Sequence, residues 1–337
     1  MHHVVCAKLK RTAMSHPSPF PLPPSLPSTL PPSRSTPLRI GLAANRLHHD
    51  APDAALFRLI REIAPALRDT LAPTILAVGR THDAIRREGL LEGYAGLVRY
   101  PYGREGGLMR LVSRVVDPDP SSAIHAAIYL IDPVDPSSTF PEAVALKRQC
   151  IIHAKPFLST LLGAREWLEL RAVAAGAAPN PALDPVFDFG SQAIALVAHD
   201  ARKTEMIELV REHFDFFDRF AMRVATGTTG GLLNALAREL RPQRQGDWVR
   251  ALKSGPLGGD AQIAELLLDG ACQRVLFLED PHVARQHEAD IQLLERAART
   301  VTDQVACYGD LVTARAWIAD LGARAAARRD RPPGAPR

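Results

Sequence analysis

Short apolar runs alternate with helix-patterned stretches along most of the chain. In the C-terminal half IALVA (Ile194 to Ala198) precedes a helical pattern from about Lys203. FAMRVAT, GLLNALAREL, VLFLED and ADIQLLERAAR then follow in turn. Continuous apolar runs bounded by polar clusters read as strands buried on both faces, and the stretches between them carry a helical period. Strand–helix alternation of this kind predicts an α/β fold with doubly wound parallel sheets. Ligands of such sheets sit outside the carboxyl ends of the strands. Polar clusters fall at those places: His199-Asp200 after the first strand, TGTTGG after the second, and Glu279-Asp280 after a later one.

The pattern occurs twice. RIGLAANR (Arg39 to Arg46) is answered by AIALVAHD (Ala193 to Asp200), and TILAVGRTHDAI by MRVATGTTGGLL. YGREGGLMRLV pairs with SGPLGGDAQIA, and IYLIDPVDP with LFLEDPHVA. Ile40 matches Ile194, Gly79 matches Gly227, Gly107 matches Gly259 and Asp132 matches Asp280, four anchors in one order at nearly one offset. The chain therefore reads as two tandem, homologous Rossmann-like domains, about 38–170 and 190–325. RAVAAGAAPNPALDP opens a linker over 171–189.

Composition adds the ends. Residues 1–37 hold nine prolines, as in FPLPPSLPSTLPPS, and form a disordered leader that builds no core; Met14 offers a second possible start. Residues 326–337 form a basic tail. The formal charge of +4 resides in these ends, because residues 1–39 carry five basic side chains and no acid, so the body between them is net acidic. A nucleic-acid binder concentrates its basic residues on the folded domain, so no specific nucleic acid is expected. No apolar stretch is long enough for a membrane span, and no secretory pattern opens the chain. Cys6, Cys150, Cys272 and Cys307 form no CxxC pair and have no zinc spacing, so they read as free thiols in a reducing cytoplasm.

Several residues at the strand ends can carry chemistry. Thr226, Gly227, Thr228 and Thr229 lie between a strand and a helix, where backbone N–H groups, hydroxyls and glycine suit a phosphate; an ordinary glycine-rich cap has the same look. Lys203 stands one helical turn past His199 and Asp200, as a charge clamp or as a surface lysine. Ser254 and Gly255 open SGPLGGD, a tight turn that ends on Asp260, which can face a ligand or cap a helix. Asp280 follows a strand, and His287 and Asp290 share a face if helical. Each is weak alone; their gathering at the strand ends of one domain favours a site.

On these motifs, ALVAHDxxK, ATGTTG, SGPLGGDAQ, and DP followed by His287 and Asp290, the second copy resembles methylglyoxal synthase over nearly its whole length. The resemblance implies a phosphate lyase that turns dihydroxyacetone phosphate into methylglyoxal and inorganic phosphate without cofactor or metal. It implies Asp260 as the catalytic carboxylate, with Asp200, Asp280 and Asp290 as supporting acids. It gives Lys203, Thr226, Gly227, Thr228, Thr229, Ser254 and Gly255 to the phosphate site, and His199 and His287 to substrate contact. An unperturbed aspartate is a feeble base, so clustered acids and burial are expected to raise its pKa. The resemblance also implies a homo-oligomer, with three two-domain chains filling the six places of a hexamer of single domains. A tandem sensor of a phosphorylated metabolite is the alternative, and it has no need of Asp260 with His199 and His287.

The first copy departs from the pattern. Asn45, Arg46 and His49 stand where His199, Asp200 and Lys203 do; Val78 and Arg80 replace Thr226 and Thr228; Leu108 replaces Asp260; Thr139 replaces His287. Gly79 and Thr81 persist, and Asp132 and Glu142 match Asp280 and Asp290. Without base and cradle this copy is not expected to catalyse. Arg46, Arg80 and His82 either hold an anion there or are exposed replacements under little constraint.

Overall fold

Among the described residues ten strands build two separate five-stranded sheets, and every pairing in both is parallel. The structure is a computed structural model that describes residues 37–282 and 288–329, the side chains of 288–291 excepted. The first sheet holds β1 (Arg39–Ala44), β2 (Thr74–Ala77), β3 (Leu97–Arg99), β4 (Ala126–Leu130) and β5 (Phe157–Leu158). Its helices are α1 (Ala55–Ala66), α2 (Gly79–Arg87), α3 (Gly107–Val115), α4 (Pro141–Ile152) and α5 (Leu161–Ala174). The second sheet holds β6 (Ala193–Ala198), β7 (Met222–Ala225), β8 (Arg250–Ala251), β9 (Arg274–Leu278) and β10 (Ala306–Tyr308). With it go α6 (Lys203–Glu212), α7 (Phe214–Phe217), α8 (Gly227–Leu240), α9 (Gly259–Leu268), α10 (Glu288–Thr300) and α11 (Leu311–Arg329).

The strand orders are β3-β2-β1-β4-β5 and β8-β7-β6-β9-β10, the same order twice. Ile40 lies opposite Ile75 and Ala126, and Leu196 lies opposite Ala225 and Leu276. The order reverses beside β1 and beside β6, which opens a crevice at the carboxyl ends of β1 and β4 and of β6 and β9. All six residues of β6 and all five of β9 are buried, as strands covered on both faces must be.

Alternating residues divide each core into two layers. Ile194 and Leu196 pack with Leu209, Leu233 and Trp317, whereas Ala195 and Val197 pack with Ile263, Leu267 and Leu294. In the first copy Leu42 and Ile128 pack with Leu56 and Ile60, while Ala43 and Tyr129 pack with Leu111 and Leu146.

Helix α5 belongs to both cores. Leu161, Ala164 and Leu168 enter the core of the first sheet, and Leu162 and Leu170 enter that of the second. Its first turn is satisfied largely from the second copy: Leu162 N–H donates to Thr302 O (3.0 Å) and Leu161 N–H to Thr302 Oγ1 (2.8 Å). The fully buried Glu166 accepts from Trp317 Nε1 (2.8 Å) and lies 3.2 Å from Arg274 Nε on β9. Arg324 on α11 reaches Glu169 (3.1 Å) and Asp184 (2.9 Å). Helix α5 runs four residues into the stretch expected as linker, and α11 runs four residues into the stretch expected as tail. The proline-rich leader up to Thr36 lies outside the described residues. Among the described residues no helix is long and apolar enough to cross a membrane.

Removing one partner of a buried ion pair strands the other charge in a poor dielectric. Glu166→Ala should therefore cost about 3–5 kcal/mol in chemical denaturation. Arg58→Ala, which breaks the half-exposed pair with Asp303, should cost less than about 1 kcal/mol.

Candidate active site

A cavity of about 800 Å³ opens at the carboxyl ends of β6, β7 and β9. His199, Asp200, Lys203, Thr226, Thr228, Ser254, Gly255, Asp260 and Asp280 all line it, so most of the residues singled out from the sequence converge on one volume. Each arrives for a local reason.

His199 follows the last residue of β6, and its N–H continues the ladder to Leu278 O (3.1 Å). Its Nδ1 accepts the backbone N–H of Asp280 at 2.9 Å. That bond bridges the two strands between which the sheet order reverses. Because Nδ1 is the acceptor, the neutral ring carries its proton on Nε2. Phe277 packs edge-on against the ring with centroids 4.8 Å apart, which fixes the remaining rotation.

Lys203 sits at the start of α6, where its ammonium lies 2.6 Å from the exposed Asp200 carboxylate. Thr226 is extended and precedes the first turn of α8, so that helix begins at the cavity wall and its first N–H groups face a region suited to an anion. Thr226 is buried, and Thr228 is exposed to the cavity.

The turn after β8 is closed on itself: Ser254 O accepts from Leu257 N–H (2.9 Å) and from Gly259 N–H (3.0 Å). Gly258 adopts φ +93°, a left-handed conformation that favours glycine. Gln262 Oε1 accepts the Lys253 N–H at 2.9 Å and ties the turn to α9. Asp260 is thereby held in the first turn of α9, only 3% exposed, at the cavity floor.

Two expected phosphate contacts fall elsewhere. The Gly227 N–H is spent on Lys253 O (2.9 Å), and a Cβ at Gly227 would lie 3.0 Å from Leu252 O. This glycine lets the α8 turn approach the β8 exit. Thr229 is fully buried and does not line the cavity; its counterpart Thr81 accepts the Ala44 N–H at 3.0 Å, a bond that ties helix to strand. His287 lies outside the described residues, as does the side chain of Asp290, whose backbone belongs to α10.

Sequence reasoning missed three contributors. Phe277 lines the cavity, and its place three residues before Asp280 in an apolar strand resembles any core position. Lys147 and Arg148 belong to the first copy, yet Lys147 Nζ pairs with Glu279 (2.7 Å) and with Glu295, and Arg148 Nε donates to Pro281 O (2.9 Å). No local signal marks them, because their partners are more than a hundred residues away.

No family model matches the chain. It is 39% identical over 128 residues to a methylglyoxal synthase of Thermus thermophilus, covering 93% of that protein and 38% of this chain. A methylglyoxal synthase of Burkholderia cenocepacia is 41% identical over 128 residues, covering 90% of it and 38% of this chain. An uncharacterized protein of Synechocystis is 40% identical over 129 residues, and that match spans 27% of its length. The crystal structure of methylglyoxal synthase from Elizabethkingia anophelis aligns over 37% of this chain and 76% of its own, at 31% identity and a TM-score of 0.30. Because it covers 93% of the Thermus thermophilus protein and 90% of the Burkholderia cenocepacia protein at about 40% identity, the chain belongs to the methylglyoxal synthase family.

The turn geometry makes a test independent of activity. A Cβ at Gly259 would stand 2.0 Å from Lys253 O, and one at Gly107 would stand 2.2 Å from Pro101 O, so backbone would have to move in both copies. Gly259→Ala and Gly107→Ala should each destabilise the protein by about 1–3 kcal/mol in urea melts. Gly231→Ala in α8, where an added Cβ meets nothing within 4 Å, should be neutral or stabilising by about 0.5–1 kcal/mol.

Proposed function

We propose that the second copy eliminates phosphate from dihydroxyacetone phosphate to give methylglyoxal. The observation that carries this reading is the buried Asp260 lining one cavity together with Lys203, His199, Thr226 and Thr228. The relatives named methylglyoxal synthase support it.

The chemistry follows from the substrate. Asp260 removes a proton from the hydroxymethyl carbon, and the electron pair moves onto the ketone oxygen as an enediolate. The His199 Nε2–H is a donor suited to that oxygen, since Nδ1 is already occupied by the Asp280 amide. The hydroxyl on the deprotonated carbon then passes its proton to the departing phosphate as that carbon becomes the aldehyde, the double bond shifts to the far carbon, and the C–O bond to phosphate breaks. Lys203, Ser254 and the first turn of α8 hold the leaving phosphate with that bond perpendicular to the enediolate plane. Protonation of the enol carbon gives methylglyoxal. His287 keeps the role of donor to the enediolate oxygen, and Asp290 and Asp200 the supporting roles, that the resemblance implies. We place the reaction in a reducing cytoplasm and in an assembly of three chains; a monomer mass by light scattering would overturn the assembly.

A coupled assay decides the function. Purified protein given dihydroxyacetone phosphate should release methylglyoxal and phosphate in equal amounts, and Asp260→Asn should lose both while staying folded. No product from folded protein that still binds phosphate would favour the tandem sensor. Gly255→Ala offers a finer probe, because its added methyl would stand 2.9 Å from Asp260 Oδ2, a side-chain end that can move. It should lower kcat on the order of tenfold and leave the melting temperature near wild type.

A further inference from the structure

The first copy retains a cavity at the place where the second keeps its candidate site. It measures about 650 Å³ and opens at the carboxyl ends of β1, β2 and β4. Its chemistry is different. Val78 stands for Thr226 and Leu108 for Asp260, and with Tyr129 and Phe140 they make an apolar wall.

Arginines surround the opening, and most acids near it are committed. Asp83 receives Arg99 Nε (2.9 Å), Arg99 Nη2 (3.0 Å) and the Tyr102 hydroxyl (2.7 Å), which hold its carboxyl well below the usual carboxylate range. Asp135 accepts from the Ser137 N–H at 2.8 Å and from Asn45 Nδ2 at 3.3 Å. Glu142 is the remaining acid on the lining. Arg80, in the first turn of α2, makes no ion pair among the described residues. His49, at the position of Lys203, is 7% exposed and lines the cavity, and its Nδ1 has no hydrogen-bond partner. Burial lowers its pKa and keeps the ring neutral near pH 7. His82, named with Arg46 and Arg80 from the sequence, is not on the lining; it points to Asp83 at 3.2 Å.

We propose that this cavity binds a phosphomonoester with an apolar body and does not turn it over. The phosphate meets Arg80 and the first N–H groups of α2, and the body lies on Val78 and Leu108. Leu108 offers no base, so the ligand leaves unchanged. Calorimetry with phenyl phosphate on the full chain tests this. Binding is expected to survive Lys203→Ala in the second copy and to be lost in Leu108→Trp and in Arg80→Ala, a change at an exposed position that leaves the fold intact. Inorganic phosphate should bind the same site at least about tenfold more weakly, for want of apolar burial. Phenyl phosphate binding unmoved by Arg80→Ala and Leu108→Trp, or no binding, overturns the proposal.

A different observation carries a second inference, which rests on the lyase reading. Lys147 on α4 pairs with Glu279, directly before Asp280, and with Glu295 on α10, while Arg148 holds Pro281 O directly after it. The Asp280 amide between them sets the tautomer of His199. The geometry points to Lys147 and Arg148 as positioning residues for the second copy's site, supplied by the first. Arg148→Ala and Lys147→Ala should each lower kcat on the order of tenfold with KM little changed, and Lys147→Arg should restore most of it. Unchanged kcat in both alanine variants of an active enzyme overturns the inference, whereas inactive wild type overturns the lyase reading instead.

Discussion

A carboxylate with no solvent exposure sits on one copy's helix and meets a guanidinium on the other copy's strand. Glu166 and Arg274, with Trp317 donating to the same carboxylate, make α5 a common wall of two cores. Neither charge can be left alone in that interior without a large penalty. The two sheets are therefore bound to each other by the same helix that closes the first. A first copy without a carboxylate at the place of Asp260 still has a structural part, because Leu162 and Leu170 of its last helix pack in its neighbour's core.

The pattern of change between the copies separates two kinds of constraint. Gly79 and Gly227 both spend their N–H on the loop beyond the next strand, on Pro101 O and Lys253 O. Gly107 and Gly259 both lie where a Cβ would strike backbone. Asn45 has replaced His199, yet its Oδ1 still accepts the following Asp132 amide at 3.1 Å, as His199 Nδ1 accepts that of Asp280 at 2.9 Å. What is shared is what folds the crevice. What has changed, Thr226 to Val78 and Asp260 to Leu108, faces the cavity and answers to whatever occupies it.

The link between the copies also places the first beside the candidate chemistry of the second. Helix α4 begins at the first cavity, where Phe140 and Glu142 line it, and two turns later offers Lys147 and Arg148 to the segment that carries Asp280. One helix thus joins the lining of the first cavity to the residues on either side of Asp280.

Much was legible along the chain, because the period of apolar residues is local. Strand–helix alternation showed two parallel α/β units, and repeated glycines and acids showed which loops lie at the strand ends. Most of the expected site residues line one cavity for that reason. The direction of a side chain or an amide is not local. Thr229 looked like Thr228, but the helix turns it into the core; Gly227 looked like a phosphate contact, but the segment after β8 takes its N–H; His82 looked like an anion contact of the first copy beside Arg46 and Arg80, but it turns to Asp83, and the buried His49 lines the cavity instead. Lys147 and Arg148 carried no signal at all, since ion pairs across domains depend on how two surfaces meet. The sequence by itself determined the secondary structure, the sheet type and the set of groups near the crevice. Only the tertiary structure decided which groups face the cavity and which copy holds the other in place, because those depend on packing between residues far apart in the chain.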